Sequence, residues 1–224
     1  MSEITPTTPT KIALITGASR GIGAALAERL GARGWHVIAV ARTTGALEEL
    51  DDRIRQMGGT ATLAPMDVTK PDAMIQMVKS VGERWGGVDL WVHTAIHAAP
   101  LTPAGHVDPR DFAKSVDLNL TTTSGLISLI EPLLRAKGGA ALFLDDPRAG
   151  QKFFGSYGAT KAAQIALARS WQAENETLGP QVFIETPAPM PTAVRARFFP
   201  GEDRALLADP RTEAEAILIR ILPE

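Results

Sequence analysis

The chain has 224 residues, 45% of them hydrophobic and 21% charged, with a formal net charge of −2 and no cysteine. That is enough for one domain with a sizeable core, and it excludes disulfides, thiolate nucleophiles and cysteine metal sites. Charges of both signs are interspersed, so there is no basic footprint for nucleic acid, and no apolar run reaches membrane-spanning length.

The first ten residues are rich in Thr and Pro and have no apolar centre. They read as a disordered lead-in to a single domain over residues 11–224, not as a signal peptide, and the expected compartment is the cytoplasm. Residues 11–16 form a short β-branched apolar run suited to a strand buried on both faces. The turn Gly17-Ala18-Ser19-Arg20-Gly21-Ile22-Gly23 follows, and then a helical pattern through Ile22, Leu26 and Leu30. Next come a Val/Ile strand over 36–41, a helix over 45–57 ended by Gly58-Gly59, a strand over 60–65 and a helix over 72–85 behind Pro71.

Residues 90–94 read as the fourth strand and 98–108 as a Pro/Gly/His-rich loop. A helical stretch over 109–136, in two pieces, is strongly apolar over 118–134. Residues 140–144 are the fifth strand, 145–155 a loop, 156–174 a long helix and 182–185 the sixth strand. A proline-laden irregular stretch over 186–210 would form a lid or edge, and 213–222 a final amphipathic helix. Strands alternating with helices predict an α/β fold, an open doubly wound parallel sheet of the Rossmann type. A closed barrel of eight such units needs more strands than this chain holds.

Three glycines between a buried strand and a helix point free N–H groups and the positive end of the helix dipole at whatever occupies the turn. That makes an anion site, most often for phosphate; an ordinary tight turn would need only one of the three. Tyr157 is the chain's single tyrosine, and Lys161 lies one helical turn on, on the same face. A nearby ammonium favours the phenolate, so such a tyrosine can exchange a proton near neutral pH, as carbonyl reduction requires. Taken alone, the pair is better read as two surface residues; the glycine turn reverses that weighting.

Thr16-Gly17-x-x-x-Gly21-x-Gly23 followed at this distance by Tyr157-x-x-x-Lys161 resembles the joint signature of the short-chain dehydrogenase/reductase family, over nearly the whole chain and in particular a bacterial, YciK-like branch. The resemblance implies a nicotinamide dinucleotide across the sheet edge. Gly17, Ser19, Arg20, Gly21, Ile22 and Gly23 would hold its phosphates. Asp67 and Val68 would hold the adenine, although Asp67 also suits a helix cap ahead of Pro71. Thr94 and Ala95 would meet a ribose, and Pro187 and Thr192 the nicotinamide amide, with Ala188 in place of the family's glycine. Asn119, a poor mid-helix residue, falls where the family keeps an asparagine that bends a helix and ties a water to the lysine, completing a proton relay. Lys161 would hold the ribose and lower the Tyr157 pKa, and Tyr157 would act as general acid/base.

Strand two ends at Ala41, followed by Arg42. NAD calls for a carboxylate there, whereas Arg42 and Arg20 suit the 2′-phosphate of NADP, which is the expected cofactor over NAD; the plainer alternative is two solvated arginines.

Three departures stand out. Where the family has a substrate-orienting serine this chain has Asp145-Asp146, with Asp146 taken as the occupant and Asp145 equally defensible. An ionised aspartate donates no hydrogen bond, opposes a developing alkoxide and raises the phenol pKa; it favours a cationic substrate, such as an iminium, over a ketone. The strand-four motif reads His93-Thr94-Ala95-Ile96, with isoleucine where the family has glycine. His93 and His97 do not have metal-ligand spacing with any carboxylate, and no metal is expected. Finally, the family's last strand is not expected after the final helix. The helices over 118–134 and 156–174, through Leu126, Ile130 and Leu133 and through Ala159, Ala162, Ala163 and Ala166, are expected to form a homodimer contact. The expected function is therefore NADP(H)-dependent oxidation and reduction of a small carbonyl or alcohol; the alternative is a dinucleotide-binding sensor or scaffold with impaired catalysis.

Overall fold

The computed structural model describes residues 10–222, so the expected lead-in lies outside the described residues except for Thr10. Six strands, β1 (Ile12–Thr16), β2 (His36–Ala41), β3 (Thr60–Pro65), β4 (Leu90–His93), β5 (Ala140–Leu144) and β6 (Gln181–Glu185), form one parallel sheet in the order β3-β2-β1-β4-β5-β6. The strand order reverses between β1 and β4, and a crevice opens at their carboxyl ends.

Alternate residues of each strand feed two separate cores, because successive side chains point to opposite faces. Ala13 and Ile15 face one side, with α1 (Gly21–Ala32), α2 (Thr44–Gln56) and α8 (Pro210–Ile221). Ile12 and Leu14 face the other, with α3 (Pro71–Trp85), α5 (Thr123–Lys137) and α6 (Gly155–Glu174). Burying both faces explains why the strands read as continuous apolar runs.

The helical stretch after residue 108 differs from the two pieces expected. α4 (Pro109–Val116) runs into a π-helical segment, Asp117–Thr122, and then directly into α5. The helix widens by a residue and does not break. Asn119 lies in the widened segment, fully buried, and the widening points its amide out of the helix. The irregular stretch expected over 186–210 contains α7 (Ala193–Phe198), capped by the Thr192 hydroxyl, which accepts from Arg195 N at 3.2 Å.

The faces expected to form a dimer contact are corrected in part. Leu126, Ile130 and Leu133 are buried in the core beneath the sheet, so α5 turns Ser124, Gly125 and Ser128 outward. On α6, Ala159, Ala162 and Ala166 are exposed as expected.

Candidate active site

The turn after β1 puts Gly17 at φ 92° and Gly21 at φ 58°. A Cβ on Gly17 would lie 2.6 Å from Ala95 N, so only glycine lets the turn and the end of β4 approach this closely. Thr94 Oγ1 seals that approach by donating to the Thr16 and Gly17 carbonyls at 3.0 and 3.2 Å. Arg20 offers no side-chain cap to α1, so the first N–H groups of that helix point into the crevice without an intrahelical partner. Free N–H groups and the positive end of a helix dipole favour an anion at such a turn.

Beside it lies a cavity of about 430 Å³. Gly17, Ser19, Arg20, Gly21, Ile22, Thr94, Asp145, Asp146, Tyr157, Lys161, Pro187 and Thr192 all line it. A second cavity of about 610 Å³ continues past Arg20 and is lined by Arg42, Asp67, Lys114 and Arg197. Gly23, Val68, Ala95 and Asn119 line neither; Val68 and Ala95 pack into the core beneath the crevice, and Gly23 is buried in the turn itself.

Asp67 Oδ1 accepts from Thr69 N at 3.0 Å and Thr69 Oγ1 at 2.9 Å. The cap position of α3 belongs to Lys70. Burial works against the Asp67 carboxylate, but those bonds and the nearby Arg42 and Lys70 hold its pKa below the usual value.

Tyr157 and Lys161 project from the buried face of α6. The Tyr157 hydroxyl donates to Asp146 Oδ2 at 3.1 Å, and Asp146 Oδ1 accepts from Arg148 Nε at 2.8 Å. Of the two aspartates weighed, Asp146 is therefore the one facing the phenol. The Tyr157 pKa is raised, not lowered as the Tyr/Lys spacing led us to expect. Burial is the main cause, and the Asp146 carboxylate adds to it. The ring packs against Phe198 of α7, with centroids 4.8 Å apart, and Phe154 closes the same wall.

Asn119 makes no direct hydrogen bond to Lys161. Its Oδ1 accepts from His97 N at 2.7 Å, and its Nδ2 donates to His97 O and Thr160 Oγ1, both at 3.0 Å. It ties the end of β4 and α6 to the π-helical segment. Lys161 Nζ donates instead to Gln164 Oε1 at 2.7 Å, and Gln164 Nε2 donates to Thr123 Oγ1 at 3.0 Å. His93 joins the same buried chain, with Nε2 3.1 Å from Thr123 Oγ1 and Nδ1 2.8 Å from Thr16 Oγ1. Burial, with help from the Lys161 charge, pushes His93 down to about 3, so it stays neutral. Burial also pulls Lys161 down to about 8, against the attraction of Asp145 and Asp146.

Gln164 and Thr123 were missed from sequence. Their signal was a polar residue on an apolar helix face, with Gln164 sharing the buried stripe of Tyr157, Lys161 and Ile165. Among the described residues no group of three or more His, Asp or Glu side chains is arranged to hold a metal. None of the helices there is long and apolar enough to cross a membrane.

The family model described as short chain dehydrogenase matches residues 11–203. The chain belongs to the short-chain dehydrogenase/reductase family. It is 34% identical over 168 residues to a fatty acyl-CoA reductase of Acinetobacter baylyi, with 73% of this chain and 57% of that protein aligned. It is 31% identical over 220 residues to 3beta-hydroxysteroid dehydrogenase 1 of Eggerthella lenta, covering 95% of this chain and 79% of that one. The chain thus spans little more than half the length of the first relative. An alcohol dehydrogenase from Thermococcus sibiricus, solved with 5-hydroxy-NADP, superposes with a TM-score of 0.84 at 28% identity over 96% of this chain and 92% of that one. A short chain dehydrogenase from Shigella flexneri, solved with NADP, superposes with a TM-score of 0.85 at 25% identity over 90% and 86%. Within this family of oxidoreductases, the arrangement here sets a carboxylate against the hydroxyl of the site tyrosine.

Proposed function

We propose that this short-chain dehydrogenase is an NADP(H)-dependent oxidoreductase that moves hydride to or from a small carbonyl or alcohol substrate, with Tyr157 as the proton-carrying group. The observation that carries this reading is the convergence of the glycine turn, Tyr157, Lys161 and Pro187–Thr192 on one crevice at the sheet's carboxyl edge. Bound there, the dinucleotide supplies hydride chemistry.

In this reading the free N–H groups of α1 and the turn hold the diphosphate. Arg42 and Arg20, which share the second cavity, hold a 2′-phosphate, and Asp67 borders the adenine side. Lys161, fixed by Gln164, offers its remaining protons to a ribose. Two relatives of known structure were solved with NADP or its derivative, which supports the same choice of cofactor. We assign α5 and α6 to a homodimer contact through their exposed small residues, which light scattering of the purified chain tests.

The test is NADPH fluorescence titration followed by turnover on a substrate panel, with Tyr157→Phe as control. Binding with Tyr157-dependent turnover is the expected result. Arg42→Glu should shift preference toward NAD by about tenfold or more, since it trades a phosphate partner for a ribose hydroxyl acceptor. One observation favours a second reading, a dinucleotide-binding sensor: the Tyr157 hydroxyl is already engaged by Asp146, and its pKa is raised. NADPH binding with no turnover of any substrate would decide for the sensor.

A further inference from the structure

The wall facing Tyr157 offers hydrogen-bond acceptors and almost no donors. The one proton of the Tyr157 hydroxyl goes to Asp146 Oδ2, which leaves the phenol oxygen's lone pairs toward the cavity. Asp146 itself only accepts while it pairs with Arg148. Asp145 lines the same cavity, and its side chain makes neither an ion pair nor a hydrogen bond among the described residues. A ketone oxygen, itself only an acceptor, finds no matching group on this face. A protonated nitrogen does.

The charges around the cavity agree. Arg148 is matched by Asp146, and its guanidinium also lies 5.6 Å from the Phe154 ring and 5.4 Å from the Phe199 ring. Arg195 is matched by Glu202 and lies 4.2 Å from Phe199. Lys161 bonds the neutral Gln164 and is attracted by Asp145 and Asp146 without a direct ion pair, and Arg20 belongs to the glycine turn. The carboxylate left without a partner is Asp145. The aromatic wall of Phe154, Tyr157, Phe198 and Phe199 already accommodates cations, as Arg148 and Arg195 demonstrate.

We propose that the substrate of this site is a protonated imine, reduced to an amine, with Asp145 and Asp146 receiving its N–H and positive charge. This rests on the oxidoreductase reading above for its cofactor and hydride transfer, and puts an imine in place of the carbonyl or alcohol. Hydride from the reduced nicotinamide forms the new C–H bond at the iminium carbon. The C=N π pair becomes the nitrogen lone pair, the substrate's positive charge is cancelled, and the nicotinamide is left oxidised. No proton is transferred in that step, so a tyrosine held fully protonated is no handicap. The neutral amine then takes up a proton from solvent. For a ketone the same carboxylates oppose the alkoxide, and a missing oxyanion donor costs on the order of a hundredfold in rate.

The experiment uses the full chain with NADPH, once fluorescence titration has established binding. Turnover of 2-methyl-1-pyrroline is compared with that of cyclopentanone. The expected result is a preference for the imine of about tenfold or more, and its reversal in Asp146→Ser, which restores a hydroxyl donor and removes a charge. A second readout does not depend on activity. Calorimetry with NADP⁺ present should show 2-methylpyrrolidinium binding about tenfold tighter than neutral 2-methyltetrahydrofuran, with the difference lost in Asp145→Asn. A ketone preference in the unmodified chain, or equal binding of the cation and its neutral counterpart, overturns the proposal while leaving the oxidoreductase reading intact. No affinity for NADPH overturns that reading, and this inference with it.

Discussion

Lys161 Nζ donates to Gln164 Oε1 at 2.7 Å, one turn further along the same helix and at the head of a buried chain that reaches β1 through Thr123, His93 and Thr16. The ammonium is therefore fixed by a neutral amide and not by a carboxylate. A single substitution tests what that choice does. Gln164→Leu leaves a buried ammonium and the Thr123 hydroxyl each short of a partner, and should cost about 1–3 kcal/mol of stability in urea unfolding. A loss within a few tenths of a kcal/mol would mean that the network carries no net weight.

The pH dependence of stability follows from the same chain. Lys161 titrates at about 8 in the folded state and near ~10.4 when unfolded. Between those values the unfolded chain binds more protons, so stability should rise with pH across that window. Gln164→Glu puts a carboxylate beside the ammonium, raises its folded pKa and should flatten the rise. Above about 10 the trend reverses, because the unfolded chain ionises Tyr157 while the folded chain, its phenol pKa raised, does not.

His93 has a pKa lowered in the same direction, and its window lies at acid pH. Its folded pKa is about 3 against ~6.5 unfolded, so the unfolded chain gains a proton first as pH falls. Stability should drop through that window by up to ~1.4 kcal/mol per pH unit. His93→Asn keeps an amide in the network and removes the titration. Unfolding midpoints at about pH 7 and about pH 4 should therefore differ less in the variant than in the parent chain; equal differences would refute this.

Glu28 is buried on α1 and accepts from Arg53 of α2 and Arg211 of α8, each at 2.6 Å. It fastens the last helix to the sheet face. Breaking a fully buried pair costs about 3–5 kcal/mol, but these arginines are partly exposed and screened, so Glu28→Gln should cost about 1–3 kcal/mol. Hydrogen exchange should show faster opening at the α8 amides than at those of α3.

Phe153 is the one non-glycine residue at positive φ among the described residues, at 71°, and it is 42% exposed. Its backbone disfavours any Cβ. Phe153→Gly should therefore exceed Phe153→Ala in stability by about 1 kcal/mol in thermal unfolding, despite glycine's larger entropy when unfolded. The reverse order would place the left-handed geometry outside the folded ensemble.

Much of the architecture was written locally. The β-branched runs, the glycine turn and the helix stops at Gly58, Gly86 and Gly138 specify a doubly wound sheet, because buried parallel strands and capped helices leave periodic marks in a single chain. The tight turn was equally legible, since the positive φ at Gly17 and Gly21 is a freedom glycine carries wherever it stands. What sequence could not decide was which distant groups meet. Periodicity read Leu126, Ile130 and Leu133 as a free face, but the sheet's second layer buries them. Spacing put Lys161 in reach of Tyr157, yet burial and Asp146 raise the phenol pKa, and the charge that opposes them is Arg148. Two adjacent aspartates were indistinguishable until the loop after β5 turned Asp146 onto the hydroxyl. Gln164, Thr123 and His93 come from three separate elements, and only their packing makes them one network. Local backbone preference and hydrophobic period are properties of neighbouring residues. Hydrogen-bond partners and pKa values belong to a particular packed interior, and only the tertiary structure creates it.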